Sequence, residues 1–398
     1  MKKKKPMMFL IAAASFCIII SNTGIAGAAT KHLKIGSIHP ISGPISFLGV
    51  AFNRGYELAF DKVNKAGGIK IGDDNYLLEL IAEDSKMSTE GATQSARKLV
   101  YKDKVQFIFG AILSNCTAAI TEVTEPAGAL HLISNMDETM HPADVSPDKP
   151  LTVRLSLSND AAYEADYDYI KKTYPDLKTV ALVVDQGYAG MRARATEVAA
   201  ERGLKVVHEE QWPFGIEDFI PVYTRVLTYK PDIIQCMVSA QAGDQLRAAR
   251  QLGFKGVFIS DIPLSPHVII DQAGPEFCYD VISNGITEEA YTPEMKDVDK
   301  RWVEKYKEPF LSDSLIAYDG GWMLIQAIEK AGSVEPRDVV AAFDKMTAPG
   351  SLKTVFGPGR MAGKERFGVN RVPSRPIPVM VIDKDKTKLV GFFDPVVP

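Results

Sequence analysis

Residues 35–68, IGSIHPISGPISFLGVAFNRGYELAFDKVNKAGG, decide the fold of this chain. A short apolar segment, residues 35–38, leads through a loop rich in proline and glycine into a helical pattern. The apolar positions of that pattern recur at helical spacing: Phe52, Tyr56, Ala59, Phe60 and Val63. This spacing predicts a helix with one buried face, which Gly67 and Gly68 can end by adopting positive φ. In open α/β sheets, the loop after such a first strand is where ligands bind.

Residues 1–28 have the composition of a secretion signal. Four lysines, residues 2–5, precede an apolar segment of 14 residues, 7–20, and small residues at 26–28 offer a cleavage site. The apolar segment is short for a membrane span, although a retained membrane anchor is the alternative. No later segment is apolar enough to cross a membrane, so we expect an exported protein that is cleaved near Ala28.

The acidic balance of the mature chain excludes some classes of partner. The formal net charge is −4, and loss of the four signal lysines makes it −8. Such a chain has no general attraction for nucleic acid or for anionic lipid. Roughly 370 residues remain after cleavage, more than one typical core accommodates, so two domains are predicted.

Three cysteines follow the signal: Cys116, Cys236 and Cys278. An odd number allows at most one disulfide. Cys236 lies within an apolar strand-like segment and is expected to be a buried small hydrophobic residue, with a Cys236–Cys278 disulfide as the alternative. The spacings match no zinc site, and no His-Glu-x-x-His motif occurs, so we expect no metal.

Strand-like and helical segments alternate along the chain. The strand-like segments are residues 33–38, 77–82, 105–109, 130–134, 180–184, 204–207, 232–238 and 257–260. The helical patterns include residues 88–101, 117–125, 160–172, 191–201, 219–228 and 244–252. This alternation is typical of parallel sheets with helices on both faces.

A polar, proline-containing segment interrupts the alternation at residues 136–150, and strand character resumes at 152–155. Two similar α/β lobes, the first ending near residue 155, are the simplest interpretation. A doubly wound enzyme with one large sheet is the alternative. A long amphipathic helix is predicted over 314–331, and residues 355–398 have β character.

The opening stretch resembles the first motif of type I periplasmic binding proteins, in the branched-chain amino-acid (Leu/Ile/Val-binding) branch. The matching residues are Ser42-Gly43-Pro44, Gly49 and, after the helix, Asn64 with Gly67-Gly68-Ile69. The resemblance implies an α/β fold of two Rossmann-like lobes with parallel central sheets, joined by a three-segment hinge. It also implies that residues 29–155 and 286–375 form lobe one, and residues 156–285 and 376–398 form lobe two.

The loop after the third long strand offers the most specific candidate for a ligand-binding site in lobe one. Gly110 ends that strand, and Ser114 or Asn115 can cap the next helix, whose N–H groups together with the Ser114 hydroxyl suit a carboxylate. Capping alone is the simpler interpretation of Ser114. The resemblance aligns residues 110–114 with the family's Gly-x-x-x-Ser loop, which implies that Ser114 holds the ligand carboxylate.

Two further loops of lobe one contribute candidates through the resemblance. The loop after residue 134 offers Met136, Glu138 or Thr139 as a ligand contact. Its acids, Asp137 and Glu138, either face an ammonium group or are simply solvated.

Phe47 and Leu48 occupy the first loop, where relatives often have a tyrosine. His39 offers a hydrogen bond there, or packs at the end of the strand.

Lobe two offers Tyr188 and Asp261. Tyr188 matches the family's aromatic residue that covers the ligand, with ordinary packing as the alternative. Relatives that bind leucine-like ligands have Glu-Gly after the strand at 257–260, where this chain has Asp261 followed by Ile262. Either Asp261 holds the amine with a shorter reach or the amine site is absent, which would select carboxylates without an amine, including aromatic acids.

Motifs of catalysis are missing from the sequence: it has no Gly-x-Ser-x-Gly elbow, no P-loop and no recognisable triad. The resemblance therefore implies a periplasmic, monomeric, cofactor-free binding protein that delivers a small carboxylate-bearing solute to an ABC permease in the inner membrane. The alternatives are a ligand-sensing module of a receptor system and, less favoured, an exported hydrolase.

Overall fold

The computed structural model describes Met1 and residues 30–135, 145–156, 159–186, 191–213, 216–237, 239–261 and 264–395. The remainder of the predicted secretion signal lies outside these ranges.

Strands and helices are numbered in chain order. The strands are β1 (Thr30–His39), β2 (Ile69–Ile71), β3 (Asp74–Asp84), β4 (Phe107–Gly110), β5 (Leu130–Ile133), β6 (Thr152–Arg154), β7 (Thr179–Asp185), β8 (Lys205–Trp212), β9 (Ile233–Met237), β10 (Val257–Ser260), β11 (Val281–Ser283), β12 (Leu352–Thr354), β13 (Gly357–Ala362), β14 (Val372–Ser374), β15 (Ile377–Asp383) and β16 (Lys386–Phe393). The helices are α1 (Ser46–Lys65), α2 (Thr89–Arg97), α3 (Ser114–Ala127), α4 (Asn159–Thr173), α5 (Met191–Glu201), α6 (Ile220–Leu227), α7 (Ala242–Gln251), α8 (Pro266–Ala273), α9 (Pro293–Tyr306), α10 (Ser314–Ala331), α11 (Pro336–Phe343) and α12 (Lys364–Phe367).

The first sheet has the strand order β2-β3-β1-β4-β5-β6. Its neighbouring strands are parallel except for the antiparallel pair β2 and β3. Successive side chains of a strand point to opposite faces. Phe107 and Phe109 of β4 accordingly join a core with α1, α9, α10 and α11, whereas Ile108 joins a second core with α2 and α3. Both faces of this sheet are therefore covered by helices.

The second sheet has the strand order β16-β15-β11-β10-β9-β7-β8. Strands β7 to β11 are parallel, and β15 runs antiparallel to both β11 and β16. Leu182 of β7 faces α4 and α5, whereas its neighbour Val183 faces α6, α7 and α8. The predicted fold class, α/β with two lobes built on mostly parallel central sheets, is confirmed.

The chain passes between the sheets more than once. After β11 it returns to pack α9, α10 and α11 in the core of the first sheet, and then adds β15 and β16 to the second sheet. A small antiparallel sheet of β12, β13 and β14 lies along this return path. Arg375, between β14 and β15, is buried with its Nε 3.4 Å from the carboxylate of Asp319 on α10.

Each of the eight predicted strand segments coincides with a strand, and each predicted helical pattern overlaps a helix. Gly67 and Gly68 follow α1 with φ values of 102° and 89°, as predicted. The pattern at 88–101 divides into α2 and a π-helical turn at Lys98–Lys102. The short strands β2 and β11 were not predicted, because short strands leave a weak periodic signal, whereas β16 lies within residues 355–398, for which β character was predicted.

The three cysteines after the signal are buried and form no disulfide. The alternative of a Cys236–Cys278 disulfide is therefore wrong, and Cys236 is a buried hydrophobic residue of β9, as predicted. No helix among the described residues combines the length and the apolar character of a membrane span.

Close packing of α1 against α10 explains why position 55 in the opening stretch is a glycine. A Cβ atom on Gly55 of α1 would lie 2.5 Å from the carbonyl oxygen of Ser314 and 2.9 Å from the Cβ of Ala317 on α10. Gly320 of α10 is the contrast, because the nearest atoms to its Cβ would lie 3.6 Å away. The two helices therefore approach closely at Gly55 and leave ordinary space at Gly320.

We expect Gly55→Ala to lower the free energy of unfolding by about 1–3 kcal/mol, because α10 must move away from α1. Gly320→Ala is the matched control and should be neutral or stabilising by up to about 1 kcal/mol, because alanine favours a helix. Chemical denaturation of both variants measures the difference. Equal destabilisation by the two substitutions would contradict the close contact at Gly55.

Candidate functional site

The parallel strands of the first sheet bring several polar residues to one edge. His39 ends β1, Gly110 ends β4, and Ser134 and Asn135 directly follow β5. The carboxyl ends of parallel strands share one edge of a sheet, and ligands of open α/β folds bind outside that edge. This edge is therefore the place where the predicted residues of lobe one can meet.

Ser114 and Asn115 are the first two residues of α3, which follows β4 at this edge. Leu113 occupies the N-cap position, and its carbonyl accepts hydrogen bonds from the N–H groups of Cys116 and Thr117 at 3.1 and 3.0 Å. The prediction that Ser114 or Asn115 caps the helix is therefore wrong, because the helix begins one residue earlier than the capping pattern indicated. Ser114 is 5% exposed and Asn115 is exposed.

His39 packs among aromatic rings at the end of β1. Its ring centre lies 5.2 Å from that of Phe52 and 5.8 Å from that of Tyr56, which stacks on Phe109 at 4.1 Å. The Tyr56 hydroxyl lies 2.8 Å from Ser134 Oγ and 3.4 Å from His39 Nε2. Burial lowers the pKa of His39 to about 3, so its imidazole is neutral at ordinary pH. The structure thus supports strand-end packing of His39.

Arg154 is a buried residue of this edge that the sequence analysis did not identify. Its Nη1 donates hydrogen bonds to the carbonyl and the side-chain oxygen of Asn135 at 2.6 and 3.1 Å. Asn135 Nδ2 in turn donates to Thr117 Oγ1 of α3 at 2.8 Å. The guanidinium therefore ties β6 to the loop after β5 and to α3. A lone arginine in the apolar segment 151–155 was the available signal.

The other predicted contacts of lobe one are divided between observed and undescribed residues. Phe47 is 46% exposed and Leu48 is half-buried, and both lie in the first turn of α1. Met136, Glu138 and Thr139 lie outside the described residues, as does Asp137. Tyr188 of lobe two also lies outside them.

Asp261 follows β10 at the corresponding edge of the second sheet and is fully buried. Gln235 of β9 donates from Nε2 to Asp261 Oδ2 at 3.0 Å. The hydroxyl of Tyr167 on α4 donates to Oε1 of the same glutamine. The glutamine therefore presents its N–H to Asp261, which makes the Asp261 oxygen a hydrogen-bond acceptor.

A second buried acid, Asp166 of α4, lies near Asp261 and was also missed by sequence analysis. Asn284, which follows β11, donates from Nδ2 to Asp166 Oδ1 at 2.9 Å and approaches the carbonyl of Pro378 on β15 at 3.4 Å. Burial, together with the negative charge of Asp261, raises the pKa of Asp166 well above its usual range. A polar position within a helical pattern gave no sign that it would face the sheet.

The described residues contain no cluster of three or more acidic, histidine or cysteine side chains that could hold a metal ion. Cavities of about 380 and 510 Å³ lie near the amino-terminal ends of the strands, away from the carboxyl edges described above. Pro231 and Gly256, just before β9 and β10, line the first, and Leu33 and Gln106 line the second. Neither cavity includes a predicted ligand residue.

Comparison with known proteins shows the family of this chain. A family model described as "Periplasmic binding protein" matches residues 32–387. Leu/Ile/Val-binding protein homolog 8 from Brucella suis biovar 1 (strain 1330) is 27% identical over 377 residues, which cover 89% of this chain and 90% of the relative.

Two solved structures share the fold. The branched-chain amino acid transporter substrate-binding protein LivJ from Streptococcus pneumoniae, in complex with isoleucine, has 20% identity and a TM-score of 0.71, covering 92% of this chain and 100% of that chain. A solute-binding protein of an ABC transporter from R. palustris, in complex with benzoate, has 19% identity and a TM-score of 0.72, covering 92% and 98%.

The chain therefore belongs to the periplasmic binding protein family. Its fold is that of type I binding proteins, and its relatives include Leu/Ile/Val-binding protein homologues, as the opening motif predicted.

His131 of β5 is a buried residue that connects the end of β4 to α3. Its Nε2 donates to the Gly110 carbonyl at 2.7 Å, and its Nδ1 lies 2.8 Å from Thr121 Oγ1 on α3. Burial lowers the pKa of His131 to about 4. An unfolded histidine has a pKa of about 6.5, so between these pH values the unfolded chain binds a proton that the folded chain does not. This residue should therefore make the protein less stable as the pH falls from about 6.5 to 4.

We expect His131→Gln to remove up to about 1.4 kcal/mol per pH unit from the acid-side slope of the unfolding free energy. Urea unfolding of the variant and the wild type at several pH values between 4 and 7 measures the slopes. The exposed His32, replaced in the same way, is the control. Identical slopes for wild type and His131→Gln would show that His131 does not stay neutral in the folded protein.

Proposed function

We propose that this chain is the solute-binding protein of an ABC importer. It captures a small carboxylate-bearing solute between its two lobes and delivers it to a permease in the inner membrane. The observation that carries the proposal is the buried Ser114 at the first position of α3, directly after the loop that leaves β4. This residue belongs to the loop that resembles the carboxylate-binding loop of the family.

The start of α3 suits a carboxylate for electrostatic reasons. The first intrahelical hydrogen bonds come from the N–H groups of Cys116 and Thr117, so those of Ser114 and Asn115 precede the regular ladder. N–H groups at a helix start carry partial positive charge and bind anions. The hydroxyl of Ser114 would add a donor to the same carboxylate. Met136, Glu138, Thr139, Phe47 and Leu48 remain proposed contacts of lobe one.

The opposite end of the ligand would meet lobe two. Asp261 is buried at the carboxyl edge of the second sheet and accepts a hydrogen bond from Gln235. An ionised carboxylate there favours a ligand with a positive group, such as the ammonium of an amino acid. Tyr188 would close over the ligand as an aromatic cover. An aromatic or aliphatic acid without an amine is the second ligand class, as in the R. palustris protein that binds benzoate.

We propose lobe boundaries near residues 155, 285 and 375. The membership of the two sheets supports them, because β1–β6 lie in one sheet and β7–β11 with β15 and β16 in the other. The three connections would form the hinge, and closure would follow from contacts that the ligand makes only in the closed state.

We also propose that residues 1–28 direct export and are cleaved near Ala28. The exported protein would be a monomer without catalytic activity. The alternative function is a ligand-sensing module on the same fold. Copurification with a permease or with a receptor kinase distinguishes these two roles.

A thermal-shift screen of the refolded mature protein tests the proposed ligand class. The panel pairs leucine, isoleucine and valine with their deaminated acids and adds benzoate and short amides. A ligand at one hundred times its Kd adds about 2.7 kcal/mol of stability, which raises the Tm by several degrees. Stabilisation by amides alone, with no response to any carboxylate, would contradict the proposal.

Ser114→Ala should weaken binding of the carboxylate that responds in that screen by about 1–3 kcal/mol, the loss typical of a hydrogen bond to a charged group. Titration calorimetry gives the Kd. Ser314→Ala is the matched control, because Ser314 is also buried at the first position of a helix and its Oγ donates to Leu311 O at 2.6 Å. Unchanged affinity in Ser114→Ala would remove Ser114 from the site.

A further inference from the structure

The acid on α4 has one oxygen with a partner and one without. Asp166 is fully buried, and its Oδ1 accepts the hydrogen bond from Asn284 Nδ2. Its Oδ2 has no hydrogen-bond partner among the described residues, and neither has Oδ1 of the same Asn284. Buried polar atoms without partners are rare, because each costs free energy. One explanation that accounts for both atoms is therefore preferable to two separate ones.

A proton on Asp166 Oδ2 accounts for both. A carboxylic acid and a primary amide can pair through two parallel hydrogen bonds, with the amide N–H donating to one carboxyl oxygen and the carboxyl O–H donating to the amide oxygen. The first of these bonds is present at 2.9 Å. A neutral Asp166 would supply the donor for the second, whereas an ionised carboxylate has none.

Among the described residues, the charge that acts on Asp166 is negative. Asp261, at the end of β10, is the charged group that acts on Asp166, and Tyr167 on α4 is its titratable neighbour. Packed against α4, β15 contributes the apolar Ile377 and Val379 and the carbonyl of Pro378.

Two arginines near α4 contact other acids. Arg194 of α5 and Arg202 lie 3.6 and 3.8 Å from Glu164, and Arg202 also contacts Asp168. The arrangement therefore favours a proton on one member of the Asp166–Asp261 pair.

The hydrogen bonds favour Asp166 as the acid that carries the proton. Gln235 presents an N–H to Asp261 Oδ2, because its own oxygen accepts from Tyr167. Asp261 Oδ2 is therefore an acceptor. Asp166 Oδ2, by contrast, could donate a hydrogen bond to Asn284 Oδ1 if it carried a proton. Two neighbouring buried carboxyl groups do not both ionise readily.

We propose that Asp166 is a positioning residue of the second lobe, held as a neutral carboxylic acid paired with Asn284, so that Asp261 alone bears the negative charge at this edge of the sheet. The inference rests on the proposed function where it concerns the ligand: lobe two then accepts a single positive group. A structural consequence follows independently. Folding takes up a proton at Asp166, because the unfolded side chain is ionised above a pH of about 4.

Unfolding of the ligand-free protein tests the proton directly. Asp166→Asn replaces the carboxyl O–H by an amide N–H and keeps both hydrogen bonds to Asn284. The ratio of the unfolding equilibrium constant of wild type to that of Asp166→Asn should rise with pH between 5 and 8, by up to tenfold per unit for one proton. Asp168→Asn on the exposed side of α4 is the matched control. A ratio that stays flat or falls over this range overturns the proposal.

Carboxyl carbon NMR of wild type labelled at aspartate is the second measurement, and it decides the question if Asp166→Asn does not fold. One carboxyl resonance should keep the shift of a protonated acid at pH 8 and should move in Asn284→Ser. If every aspartate has the shift of a carboxylate at pH 8, Asp166 is ionised and the proposal fails.

Ligand specificity separates this inference from the proposed function. The probes are leucine and 4-methyl-2-oxopentanoate, which differ in the ammonium group. Asp261→Asn should lower the ratio of leucine affinity to oxo-acid affinity at least tenfold, and Asp166→Asn should lower it by less than threefold. An equal fall in both variants would mean that Asp166 is charged, which overturns the inference. If neither probe binds wild type, a leucine-like ligand is ruled out, while the unfolding measurement still decides the state of Asp166.

Discussion

The packing of α1 against α10 is the contact on which the first lobe depends. It joins the opening strand–loop–helix unit to a helix that lies more than 250 residues later in the chain. Gly55 and Gly321 allow this approach, since a Cβ on either would come within 3.0 Å of the facing helix. The same face of α1 presents Tyr56, which stacks on Phe109 and reaches Ser134 with its hydroxyl. The contact therefore positions the ends of β1, β4 and β5.

The second lobe depends on how buried polar groups are satisfied. A buried charge is costly unless it is paired or hydrogen-bonded. Asp261, Gln235 and Tyr167 form a chain of hydrogen bonds beneath α4, with Asp166 and Asn284 beside it. This cluster lies at the carboxyl edge of its sheet, as Ser134 and Asn135 do in the first sheet. Each lobe thus contributes polar residues at the edge where the fold class binds its ligands.

Sequence alone predicted the alternation of strands and helices, because each apolar strand and amphipathic helix leaves a local periodic signal. Gly49 illustrates a motif residue with a tertiary reason, since a Cβ there would lie 2.0 Å from the Pro40 carbonyl oxygen. The capping prediction for Ser114 was wrong because a helix start depends on which carbonyl the first N–H groups meet. Arg154 and Asp166 were missed because their partners, Asn135 and Asn284, are fixed by strand order rather than by sequence proximity.

A crystal structure of the mature protein with a bound ligand from the thermal-shift panel tests the central claim most directly. The expected result places a ligand carboxylate within hydrogen-bond distance of the Ser114 hydroxyl and of the N–H groups that begin α3, with the other end of the ligand facing Asp261. A ligand bound instead in the cavity beside Pro231 and Gly256, at the amino-terminal ends of β9 and β10, would contradict the account.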